Sequence, residues 1–177
     1  MLEKLKDLNS FKAFKYFKEM NQVPRGSGNE KGVSDFLVNF AKEHNLKVTQ
    51  DASLNIIIKK PGTKGYENAP KIIIQGHMDM VCEKELHSKH DFLKDPIEFI
   101  VEGDNLHANG TTLGADDGIA VAMSLAVLDS TDIPHPPIEL LVTTGEEVGM
   151  VGAEALDPKD LEGRVLINID SEEEGKL

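Results

Sequence analysis

The order of apolar runs predicts an α/β fold of three layers, α/β/α, around a mixed and mostly parallel sheet. Three observations carry this. Short runs rich in Ile, Leu and Val alternate with segments of helical spacing. The run Ile72-Ile73-Ile74 reads as a strand buried on both faces, as in a sheet covered by helices. The segment 117–128 is dense in small and apolar residues and reads as a helix packed against that sheet.

Taken in order, Phe11, Phe14 and Phe17 follow helical spacing over 10–20, with Asn9 or Ser10 as the N-cap. Pro24-Arg25-Gly26-Ser27-Gly28 interrupts this helix. A second helix over about 29–44 would bury Val33, Phe36, Leu37 and Phe40, so that a helical hairpin opens the chain. Strands are expected at 47–51, 54–60 and 71–75, with Pro61-Gly62-Thr63-Lys64-Gly65 turning between the last two. Segments 98–101 and 106–108, joined by Glu102-Gly103-Asp104-Asn105, read as a hairpin. Two more internal strands are expected at 138–144 and 165–169.

A chain of 177 residues is long enough for one full core, so one domain is the default. Hydrophobic residues make up 40% of it, and no apolar stretch approaches the roughly 20 residues needed to cross a bilayer. Residues 1–7 mix charges of both signs without an apolar core, so no signal peptide is expected. The single cysteine, Cys82, cannot form an internal disulfide, which fits a cytoplasmic location. A formal charge of −12 with no basic stripe argues against a nucleic-acid partner.

The chemistry concentrates in four acidic clusters. His77 and Asp79 stand two residues apart at the end of an apolar run, so both point to one face of an extended segment. The carboxylate can then orient an imidazole that grips a metal; an ordinary surface pair has the same spacing. Asp116 and Asp117, flanked by Gly114 and Gly118, read either as ligands or as acids at a helix N-terminus. Glu146 and Glu147 follow a hydrophobic strand, where adjacent like charges are costly unless a cation or a shared proton compensates. With a metal nearby, one of the two can bind it while the other takes a proton from water; a surface pair in a loop is the other reading. Asp170 closes the last apolar run. Because ligands of open α/β sheets bind at the carboxyl ends of strands, these clusters should meet at one edge. His87, His90, His107 and His135 are expected in loops without a metal role, and Glu172-Glu173-Glu174 reads as a solvated charge run with at most one member near the site.

The strings 24–30 (PRGSGNE), 76–84 (GHMDMVCEK), 113–119 (LGADDGI), 145–150 (GEEVGM) and 168–175 (NIDSEEEG) resemble, in the same order, the cytosolic aminoacyl-histidine dipeptidases. These are carnosinase-like members of the cocatalytic zinc peptidase superfamily. The resemblance implies that His77 binds one zinc and Asp79 orients it, that Asp116 bridges two metals, that Glu147 binds the second and that Asp170 joins His77 on the first. It makes Glu146 the general base and implies hydrolysis of Xaa-His and related dipeptides by a metal-bridging hydroxide, with two Zn2+ per complete active site and Co2+ or Mn2+ as alternatives. It also implies a cis peptide after Asp116.

The sequence departs from the family in two ways. Gly145 stands where such enzymes often carry an acid. Members are also much longer, with a lid or dimerisation domain and a returning C-terminal catalytic segment that brings another histidine to the second metal. Residues 1–177 would then be the N-terminal portion of an incomplete zinc-peptidase catalytic domain, inactive alone, of a protein that is a homodimer at full length and acts on small peptides away from membranes. Another aminopeptidase, a tripeptidase or an amide deacylase of the same superfamily is the alternative, as is a non-catalytic metal-binding or assembly module.

Overall fold

The computed structural model describes residues 10–171. Asn9 as a cap, the reading of residues 1–7 and the 172–174 charge run lie outside the described residues. Helix α1 spans Phe11–Met20 and buries Ala13, Tyr16, Phe17 and Met20, a face one residue round from the phenylalanine stripe. Ser10 precedes it without a side-chain capping bond. Helix α2, Lys31–Glu43, buries Val33, Ser34, Leu37, Phe40 and Ala41. The two do not pack as the expected hairpin. α1 lies mainly against α3 (Ala115–Asp129) and α2 against the first two strands, with Tyr16 meeting Phe40 edge to face and Gly26, between the helices, bridged to Met80.

Five strands form one sheet in the order β1-β2-β6-β3-β7: β1 Lys47–Gln50, β2 Ile56–Lys60, β3 Ile72–His77, β6 Ile138–Thr143 and β7 Val165–Asn168. β3 runs parallel to β6 and β7, whereas β2 is antiparallel to both β1 and β6, so the sheet is mixed as expected, with β2 alone running against the other four strands. The short turn from β1 into β2 reverses the chain, and only the long crossovers yield parallel pairs. A separate hairpin, β4 Phe99–Glu102 and β5 Asn105–Ala108, forms as expected and places His107 in a strand rather than a loop.

The period of two sorts the strand residues. Ile56, Ile58, Ile138, Leu140 and Val142 face α1, α2 and α3 in the main core. Ile57, Ile73 and Leu141 face the other way, where Leu156 and Leu161, flanking the 3-10 turn Pro158–Asp160 that follows α4 (Val151–Ala155), pack against them and Gly163 lies close to Ile73. The second outer layer is therefore thin. Neither α4 nor the turn was legible in the sequence, since pieces this short carry too few periodic positions. β7 was expected to be internal, but it is an edge strand, with Val165, Leu166 and Ile167 50%, 53% and 43% exposed. An apolar run signals a strand that wants cover; it does not specify which neighbour supplies it.

Parallel pairing brings the C-terminal ends of β3, β6 and β7 to one edge, and α3 starts there too. No helix among the described residues is long and apolar enough to cross a membrane.

Candidate metal centre

β3 ends on His77, buried at 1% exposure, and Asp79 follows it fully buried. Their separation is 3.3 Å, Nδ1 to Oδ1, which leaves Nε2 facing the sheet edge. Asp79 also accepts from Ser27 Oγ at 2.8 Å and from the backbone N–H groups of Glu146 and Glu147 at 3.1 and 3.3 Å. Burial pushes the Asp79 carboxyl up, but His77, Ser27 and the Glu146 amide outweigh it and hold the carboxyl at about 2. Burial likewise pushes the His77 imidazole down, and the Asp79 bond and charge with Asp117 and Asp116 raise it to about 9. The site is built to favour positive charge on this face.

α3 begins at Ala115, but Asp116 and Asp117 depart from helical geometry and are joined by a cis peptide, so regular turns start after them rather than at Asp117. Asp116 is solvent-facing and its Oδ1 lies 3.1 Å from His77 Nε2. Asp117 turns inward and its Oδ2 accepts the backbone N–H of His77 at 3.1 Å. Burial pushes the Asp117 carboxyl up to about 7. Gly76 is what admits it: a Cβ there would collide with that carboxylate.

β6 delivers Gly145, Glu146 and Glu147, with Glu30 Oε1 accepting the Gly145 N–H at 3.2 Å. Glu146 Oε2 stands 3.8 Å from His77 Nε2, and Asp170 Oδ2, beyond β7, 3.9 Å. Burial, with Asp116 next, raises the Glu147 carboxyl above its ordinary value. Two overlapping donor groups result, His77 with Glu146 and Asp170, and His77 with Asp116 and Glu147, each with its ligand atoms within 4.8 Å of one another. The six residues to which the resemblance gave roles thus lie together at one sheet edge. A tetrahedral ion with donors about 2.0–2.2 Å away has neighbouring donors roughly 3.4 Å apart. The 3.1–3.9 Å separations around Nε2 bracket that value, so the donor set fits a divalent cation.

The sequence reading assigned no role to Arg25, Ser27 or Glu30, although all three lie in a string it singled out, and it left Asp117 as a ligand or a helix-terminal acid rather than the acceptor of the His77 amide. Their partners are distant in the chain, which leaves no local signal of function.

A layered α/β sheet thus carries one oriented histidine and four carboxylates at one edge, a donor set that could hold a metal ion. Residues 73–174 match the model of the peptidase family M20/M25/M40, and the chain belongs to this family. It is 41% identical over 176 residues to the cytosol non-specific dipeptidase of Escherichia coli, covering 99% of this chain and 36% of that protein. The crystal structure of aminoacylhistidine dipeptidase from Vibrio alginolyticus superposes with a TM-score of 0.93 at 42% identity, over 97% of this chain and 35% of that one. A tripeptidase from Staphylococcus aureus gives a TM-score of 0.76 at 27% identity, over 92% of this chain and 44% of that one. The chain thus spans about a third of the length of the dipeptidases it matches.

Proposed function

We propose that the chain carries the metal-binding part of a peptidase that hydrolyses Xaa-His and related dipeptides. The observation that carries this reading is the convergence on His77 Nε2 of carboxylates from three separate segments, around an imidazole whose other nitrogen is held by buried Asp79. Likeness to a cytosol dipeptidase and an aminoacylhistidine dipeptidase supports the substrate class and a cytoplasmic location.

By the resemblance, His77, Asp116 and Asp170 would hold one cation and Asp116 with Glu147 a second, whereas proximity alone groups His77 with Glu146 and Asp170 and with Asp116 and Glu147; mixed nitrogen and oxygen donors suit zinc, with cobalt or manganese accepted by the same set. Bound there, such cations supply Lewis-acid polarisation of the peptide carbonyl and acidify water. Asp79 orients His77, and Glu146 takes a proton at Oε2 and returns it to the leaving amine. The further histidine implied by the resemblance would complete the second cation's ligands, so residues 1–177 alone would turn over little. The homodimer of a longer protein rests on that resemblance alone.

Dialysis against zinc followed by metal analysis should return about one tightly held ion per chain, as a nearly complete ligand set predicts; a metal-free chain would reject the reading. Glu146→Gln should keep zinc affinity within about threefold, since a proton acceptor is not a ligand. Loss of the ion in that variant would make Glu146 a ligand instead. Release of histidine from β-alanyl-histidine, set against tripeptides and acetylated amino acids, separates the dipeptidase from the tripeptidase reading that the Staphylococcus aureus match supports and from an amide deacylase.

A further inference from the structure

Arg25 is the largest fully buried side chain among the described residues, and it sits directly behind the metal centre. Its Nη1 donates to the carbonyl of Met78 at 2.9 Å and to that of Asp79 at 3.3 Å. Its Nη2 donates to the carbonyl of Gly114 and, at 3.2 Å, to Asn21 Oδ1, which also accepts from Nε at 3.3 Å. Every N–H of the guanidinium fork is therefore committed. The chain clears space for it. Gly114, at φ 69°, would drive a Cβ into the guanidinium, and a Cβ at Gly118 would stand 2.5 Å from Nη2. Burying a guanidinium is costly unless acids and acceptors compensate, and Asp79 and Asp117 supply the opposite charge.

The acceptors tell what this cation does. Met78 and Asp79 follow His77 directly, and Gly114 lies two residues before Asp116. One rigid planar group thus ties the end of β3 to the start of α3, the two segments whose side chains meet at His77 Nε2 and Asp116 Oδ1. Its neighbours in the same short segment brace the rest: Ser27 holds Asp79, and Glu30 holds the N–H of Gly145 just before the two glutamates.

We propose that Arg25 is a positioning residue of the metal centre, setting the spacing between the His77–Asp79 segment and the Asp116 loop through backbone carbonyls rather than by touching metal or substrate. This rests on the metal reading above. A lysine at position 25 keeps the charge but has neither the fork nor the reach to span three carbonyls, so Arg25→Lys separates positioning from charge compensation. Asn21→Ala removes the acceptor that aims the guanidinium and touches no ligand-bearing segment, which makes it the second variant should Arg25→Lys not fold.

The test uses the 177-residue chain with cobalt as the probe, read by titration and by the visible absorption bands of the bound ion, alongside circular dichroism and melting of the metal-free protein. The wild type should bind cobalt. Arg25→Lys, folded by circular dichroism, should bind roughly tenfold more weakly, the scale of outer-shell changes, with displaced bands; Asn21→Ala should shift the bands in the same direction by less. A purely structural role would lower the melting temperature yet leave the bands and affinity of the folded protein unchanged, and that result in the folded variants overturns the inference while leaving the metal reading intact. A wild-type chain that takes up no cobalt overturns both.

Discussion

His77 is held by Asp79 on one side and faces the carboxylates of Asp116, Glu146 and Asp170 on the other. Asp79 engages Nδ1, so the nitrogen open to a cation is Nε2. Asp79→Asn replaces an acceptor held at about 2 by a neutral amide that can present a donor to the ring and to the Glu146 and Glu147 amides. The expected outcome is a roughly 10- to 100-fold loss of zinc affinity with the fold kept, checked by competition titration with a chelating dye; unchanged affinity would remove Asp79 from its orienting role. At this scale the sequence was informative where partners are close along the chain. His77 and Asp79 are two residues apart and were legible as a pair. Asp117 was not legible in its role, because its acceptor function depends on His77, 40 residues away, and on the missing side chain of Gly76.

Elements differ in how firmly the sheet holds them. Leu140 in β6 is buried against the helices, whereas Leu166 in edge strand β7 is half exposed. Leu140→Ala should cost about 2–5 kcal/mol, and Leu166→Ala less than about 1 kcal/mol, measured by urea unfolding; equal losses would mean that β7 is covered in solution. β7 is held at its start by Glu139, a buried carboxylate of β6 that accepts the N–H groups of Glu162 and Gly163 at 2.9 and 2.8 Å and pairs with Lys59 at 2.9 Å. Burial pushes this carboxyl up, but Lys59 and the two amides outweigh it, so its folded pKa lies below the ordinary value. A depressed carboxylate contributes stability that is present above the unfolded pKa and fades as pH falls through the folded one. Glu139→Gln should therefore be less stable than wild type by roughly 2 kcal/mol at pH 7, the gap closing below about pH 4. A pH-independent gap would assign the loss to packing. The strands and the three long helices were legible from periodicity, continuous apolar runs and turn residues; α4 and the edge position of β7 were not, because short pieces and neighbour choice leave no such trace.

For the molecule as a whole, a metal bound at this site would link binding to folding. An ion that binds only the folded state at a hundred times its Kd adds about 2.7 kcal/mol, and a chain of this size gains roughly 2–4 °C per kcal/mol. Zinc should accordingly raise Tm by about 5–10 °C, EDTA should reverse the rise, and His77→Ala should abolish it. A melt indifferent to zinc would count against a centre built into the fold. The same linkage bears on the acids. Carboxylates crowded at one sheet edge repel one another in a chain already at −12, and a divalent cation relieves that repulsion.

The sequence by itself determined the α/β class, the positions of the main strands and helices, and the residue types at the site, because hydrophobic period and clustered acids are local properties of the chain. Only the tertiary structure decided that the acidic clusters converge on a single imidazole nitrogen, that two of the four pairings in the five-stranded sheet are antiparallel, and that a buried arginine ties the His77 and Asp116 segments together. Most of those outcomes depend on contacts between residues far apart in the chain, as the 39 positions between His77 and Asp116 or the 93 between Gln75 and Asn168, whose energies are settled by packing in space rather than by neighbours along the chain.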